Sequence, residues 1–191
     1  MSISGNPTIV VNRPNPNNDV PTSTTSGVQL SVAPVNEFQY VIRFVNMPVT
    51  FTRSSSSLAV GNVTLATFPK GLDYILGGTL RITSITADGA SLTSANMVIS
   101  VGTVANTADA TLDSTEANII PSTAAAMTAS SVGVLQARTT TVVGLLNGTS
   151  TANAIIFNVA TSNDITSSRT LTVNGHLLLT ATSLGDTAQN V

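Results

Sequence analysis

Phe38-Gln39-Tyr40-Val41-Ile42-Arg43-Phe44-Val45 is the stretch that decides the fold. Phe38, Tyr40, Ile42 and Phe44 alternate with Gln39, Val41, Arg43 and Val45. Successive side chains of a strand point to opposite faces, so this pattern puts the aromatic residues on one face. Pro48 is expected to break the run, and Val49 to Arg53 to continue it. Ser54 to Ser57 reads as a loop.

Outward from there the β pattern repeats. Val63, Leu65 and Thr67 alternate with Thr64, Ala66 and Phe68. Phe68-Pro69-Lys70-Gly71 reads as a turn. Leu72 to Leu76 reads as a short strand ending at Gly77-Gly78. Leu80 and Ile82 alternate up to Asp88-Gly89, a turn pair. Met97, Ile99 and Val101 form the next set. Asp113 to Ile120 is the one expected helical turn: Asp113 stands at cap position, Glu116 lies at capping-box spacing, and Pro121 ends it. Ser122 to Ser131, small and alanine-rich, reads as a short helix or a loop. Strands resume at Val132 to Ala137, Thr141 to Leu146, Ile155 to Val159 and Leu171 to Thr182. Asn174-Gly175 reads either as a hairpin turn or as a bulge in one long strand. About nine or ten short strands at this spacing predict an all-β fold, an antiparallel β-sandwich with jelly-roll connections as one option. Strand order is not legible at this level.

Composition narrows the function. Charged residues make up 8% of the 191 and the net charge is −2, where soluble proteins carry about 25% charged residues. Nucleic acid needs a clustered basic patch; here there is one lysine, Lys70, and the arginines are scattered, so no nucleic-acid partner is expected. Cysteine is absent, which removes disulfides, thiolate nucleophiles and cysteine-ligated zinc. The opening residues lack a basic and then apolar leader pattern, and apolar runs fall short of the ~20 residues that span a bilayer. Assembly in a cytoplasm, with no membrane partner, is the expectation.

Catalytic chemistry needs convergent titratable groups. His176 is the sole histidine, no Gly-x-Ser-x-Gly elbow accompanies it, and it reads as structural. Asp109, Asp113 and Glu116 cluster, but without the Asp-x-Asp-x-Asp-Gly spacing of a calcium loop; capping and loop solvation account for them. No catalytic, cofactor or metal residue is expected. Tryptophan is absent and aromatics are 4%, which counts against stacking platforms for sugars or single strands. Few lysines are left to blunt exposed strand edges. Either other subunits cover those edges, or Thr, Asn and Pro suffice.

Residues 1–36 differ from the rest. Pro7, Pro14, Pro16, Pro21 and Pro34 fall there, among Asn and Ser/Thr runs, and proline opposes both helix and central strand. The segment reads as an extended arm, with a disordered tail as the plain alternative. Stretched, it would reach on the order of 100 Å. Its apolar patches contain the candidate partner-binding residues Ile9, Val10, Val11, Val28, Leu30 and Val32, with Arg13 beside them; such patches can add as strands to a partner's sheet. Residues 37–184 read as the β-domain and 185–191 as a frayed tail.

Three stretches resemble a family of tailed-phage virion proteins. They are Gly-Leu-Asp-Tyr-Ile-Leu-Gly-Gly (71–78) with Leu-Arg-Ile-Thr-Ser-Ile-Thr-Ala-Asp-Gly-Ala (80–90), the block Val-Gly-Thr-Val-Ala-Asn-Thr-Ala-Asp-Ala-Thr-Leu-Asp-Ser-Thr-Glu-Ala-Asn-Ile-Ile-Pro-Ser-Thr-Ala-Ala-Ala (101–126), and Leu-Thr-Val-Asn-Gly (171–175). The resemblance spans residues 38 to 183, and the 101–126 block is its specific part. It implies a capsid decoration (cement) protein on the virion surface, a homotrimer that binds the major capsid protein and has no catalytic residues. A head-fibre, tail or host-surface-binding module is the alternative.

Overall fold

The computed structural model describes residues 29–36, 39–55, 58–68, 72–87, 96–108, 111–126, 131–132, 135–138, 144–147, 153–162 and 168–183. They are nearly all β. The strands are β1 (Gln29–Asn36), β2 (Gln39–Ser55), β3 (Leu58–Thr67), β4 (Leu72–Ala87), β5 (Asn96–Gly102), β6 (Ile120–Ala126), β7 (Ser131–Val132), β8 (Leu135–Arg138), β9 (Gly144–Asn147), β10 (Ala154–Thr161) and β11 (Arg169–Ser183).

Every pairing is antiparallel. The order is β6-β5-β10-β3-β2-β11-β4-β7; β1 adds to β2, and β8 and β9 add to β4. The sheet curls until it is nearly a barrel, with β6 coming alongside β4 and β8. One continuous core fills it, and Phe44 of β2 meets Phe157 of β10 across it at 6.2 Å between ring centroids. Tyr40 and Phe68 form an edge-to-face pair at 6.3 Å. Such aromatic contacts add to the burial energy of their area.

The curl depends on β2. Its first part, Gln39 to Val45, pairs with β1; its last, Thr52 to Ser55, pairs with β3. The buried set shifts phase between them: Tyr40, Ile42 and Phe44 are buried, then Met47, Val49 and Phe51, while both Val45 and Asn46 are exposed. Asn46 has φ 52°. An extra residue of this kind is a β-bulge, and it bends the strand. β4 makes the same slip, with Leu80 and Ile82 buried, then Ile85. Both slips fall at one place on β11: between Val173 and Gly175 against β2, and between Asn174 and Gly175 against β4.

Several sequence expectations change. Pro48 does not break β2. It lies between the residues that pair with β1 and those that pair with β3, where that side of the strand has no ladder to supply. Gly77-Gly78 do not end a strand; β4 runs through them, with a register slip at Leu76, between Ile75 and Gly77. The helical turn shrinks to a 3₁₀ turn at Ser114–Glu116, and Asp113 makes no side-chain cap bond. Pro121 and Ser122 to Ala126 belong to β6, which pairs with β5, so over that stretch neither the short helix nor the loop is found, and residues 127–130 lie outside the described residues. Of the two readings of Asn174-Gly175, the long strand is the one found.

Candidate functional site

The two halves of the curled sheet treat their outer faces differently. On β10, Ile155, Phe157 and Val159 face the core, yet Ile156, Asn158 and Ala160 are buried as well. The segment between β5 and β6 covers that second face. Its Leu112 joins Val60 and Ala160 in a satellite apolar cluster, with Leu58, Val98 and Ala117 against it.

Asn158 fastens this cover. Its side chain is fully buried. Its Oδ1 accepts the Asn106 N–H at 2.9 Å, and its Nδ2 donates to the carbonyls of Val104 and Glu116, each at 3.0 Å. Ser100 Oγ donates to the same Glu116 carbonyl at 2.7 Å. From β3, Asn62 Nδ2 donates to the Asn106 carbonyl at 2.9 Å. The Thr103 N–H reaches the Thr115 carbonyl at 2.8 Å, and the Ile119 N–H reaches that of Val101 at 3.0 Å. A Cβ on Gly102 would run into the backbone of Thr115 and Glu116, so the cover lies directly on the strand. A buried amide pays its desolvation only when its donors and acceptors are matched, and Asn158 is matched on both ends.

On the other half, β2-β11-β4, the described residues supply no such cover. Arg43, Val45, Leu76, Arg81 and Thr83 are exposed there, Val45 to 44% and Leu76 to 45%. A groove of about 640 Å³ runs over the bulges, lined among others by Arg43, Val45, Thr83, Ser84, Asn174 and His176. Asn174 forms its floor. Its Oδ1 accepts the Asn46 N–H at 2.8 Å, its Nδ2 donates to Ser84 Oγ at 3.0 Å, and its carbonyl accepts Thr83 Oγ1 at 3.1 Å. One side chain therefore ties both slipped strands. Beside it, a Cβ on Gly175 would strike the Arg81 carbonyl and approach the Phe44 ring at 2.8 Å.

The expected arm residues fare unevenly. Leu30 and Val32 stand in β1 and pair with Phe44 and Ile42 of the same chain. Ile9, Val10, Val11, Arg13 and Val28 lie outside the described residues. So does Asp109; Asp113 is exposed, and no group of metal-ligating side chains occurs among the described residues. Arg43 and Arg81, read as scattered, come into one cross-strand row with His176. The signal in the sequence was each arginine's outward place between two buried residues. Their alignment was hidden because β11 comes between β2 and β4 only in space.

Compared with protein families, with curated proteins and with solved structures, the chain matches none.

Proposed function

We propose that this chain is a non-catalytic structural protein of a phage virion, one that docks on the outside of the assembled capsid and stabilises it. The observation that carries the reading is the contrast between the two outer faces. One is closed by the chain's own cover, which among the described residues exposes a single large apolar side chain, Val104; the other leaves Val45 and Leu76 exposed on the same face as Arg43 and Arg81. Apolar side chains mixed with arginine are what protein interfaces favour. The block that carries the family resemblance, 101–126, contains that cover, and its hydrogen bonds give those residues a shared structural purpose.

In this reading the major capsid protein and further copies of the chain, as a homotrimer, are the partners. The segment before β1, residues 1–28, serves as a clamp, while Gln29–Asn36 belong to the sheet. The fold is a sandwich whose two layers share β2, with jelly-roll connections as the finer option. Binding only the assembled lattice stabilises it by mass action, and many symmetric copies add avidity.

Cosedimentation with capsids lacking the protein tests the proposal. Saturation at a fixed ratio to the major capsid protein, with a raised rupture temperature, is the expected result. No binding to intact heads overturns it, and binding to tails or host surfaces would install the fibre, tail or adhesin alternative in its place.

A further inference from the structure

In register, Arg43 of β2 stands opposite His176 of β11, and His176 stands opposite Arg81 of β4. The chain has seven Lys/Arg residues and one His; two of those cations and the histidine occupy a single row. All three point outward, since Ile42, Phe44, Leu80, Ile82 and Leu177 beside them are buried in the core. Arg43 and Arg81 are exposed and His176 half-buried. The arginine Cα atoms lie about 10 Å apart, two inter-strand spacings.

Local stability does not explain the row. Cross-strand neighbours gain when charges are opposite and lose when they are alike. Among the described residues no carboxylate stands opposite either arginine: Asp73 of β4 pairs with Ser183 and Leu146, and Asp113 and Glu116 sit in the segment between β5 and β6. The next outward row, Val41 against Leu178 and Leu178 against Thr79, is largely apolar. The groove over the bulges continues from Arg43 and His176 to the exposed Val45.

We infer that this row is a docking site for an acidic, extended segment of a partner protein, its carboxylates taken by Arg43 and Arg81 and its apolar side chains by Val41, Val45 and Leu178. Guanidinium groups match carboxylates with paired hydrogen bonds. A nucleic-acid strand fits less well. Among the described residues the face offers no fully exposed aromatic ring for a base to stack on, since Tyr40, Phe44 and Phe51 are buried and Tyr74 of β4 is half-buried, and the chain as a whole is acidic with a pI near 5.0. The inference stands apart from the capsid reading, because it concerns the chemistry of the segment and not the particle that carries it.

The single histidine supplies the reporter. Capped hexaglutamate is titrated into the full chain at fixed pH while the carbon-bound imidazole protons of His176 are followed by NMR; hexaglutamine and inorganic phosphate are the comparison probes. The expected result is a saturable shift with hexaglutamate and none with hexaglutamine. Affinity should fall between about 0.01 M and about 0.15 M salt, where the screening length drops from about 30 Å to about 8 Å. The double variant Arg43→Gln/Arg81→Gln, both positions exposed, should weaken binding on the order of tenfold or more, and Arg53→Gln should leave it unchanged. An equal shift with hexaglutamine, full binding by the double variant, or equal loss in Arg53→Gln would overturn the inference. Phosphate moving the resonances as effectively as the peptide would also overturn it, by reducing the row to a site for a lone ion.

Discussion

Asn174 holds Asn46 across a strand boundary: its side-chain oxygen accepts the Asn46 backbone N–H at 2.8 Å where β2 carries its extra residue. Without that acceptor the bulge would expose or bury an unmatched donor. The same side chain donates to Ser84 on β4, so the two bulges are tied through one residue. Asn174→Ala should cost about 1–3 kcal/mol, the range for losing bonds to partly buried groups. Asn174→Asp keeps the acceptor, loses the donor to Ser84, and should fall between. Urea unfolding of the three proteins checks the order.

Gly175→Ala should destabilise more than its single methyl group suggests. The new Cβ would meet the Arg81 carbonyl, a backbone atom that cannot swing away, and the ring of Phe44. Overpacking of this kind costs typically about 1–3 kcal/mol. Thr172→Ala, on the same strand but half-exposed, serves as the comparison and should stay within about 0.5 kcal/mol. Thermal melts of both variants give the answer; equal Tm values would contradict the close approach.

Asn158→Ala should release the cover and leave the core standing. The substitution strips a partner from the Asn106 N–H and from the Val104 carbonyl. Two such losses cost on the order of 3 kcal/mol. The loss is local, so it should appear as opening of the segment. A protease that cuts after glutamate reports it at Glu116, which sits half-buried in the 3₁₀ turn. Faster cleavage there, with the far-ultraviolet β signal retained, is the expected outcome. Global unfolding would show that the cover and core form one cooperative unit.

Leu76→Asp separates docking from folding. The side chain is 45% exposed, so stability should change by no more than about 0.5 kcal/mol. If the face that carries it meets the capsid, a buried carboxylate in that contact should weaken cosedimentation about tenfold or more. Unchanged binding would move the contact to another surface.

How much of this was legible depended on whether a strand had one buried face. Tyr40, Ile42 and Phe44, and likewise Met97, Ile99 and Val101, announce themselves by alternation and are buried as expected. β10 was legible only as a strand. Asn158 occupied what alternation reads as its solvent side, and nothing in the neighbouring residues told that a distant segment would cover it. An asparagine inside an otherwise apolar strand, where asparagine is disfavoured, was the one available hint. The phase slips at Val45-Asn46 and Thr83-Ser84 were hidden for a related reason. A bulge is set by what lies across the ladder, and the residue across both is Asn174, far along the chain. The capping-box spacing of Asp113 and Glu116 was a true local pattern that the structure does not use: the Glu116 N–H bonds the Asp113 backbone carbonyl, and Asp113 makes no side-chain cap bond.

The placement of β11 between β2 and β4 sets a schedule for biosynthesis. Of the described strands, the one the ribosome makes last is the one that lies in the middle. Until it emerges, β2 and β4 each present a row of unpaired amides and carbonyls with apolar side chains behind them, and such nascent edges invite pairing with neighbouring chains. Closure cannot proceed from the N-terminus onward; it waits for the insertion of a single late segment. High expression or slow translation through residues 169–183 should therefore favour inclusion bodies, and a separately supplied peptide of that sequence should rescue a chain truncated before it.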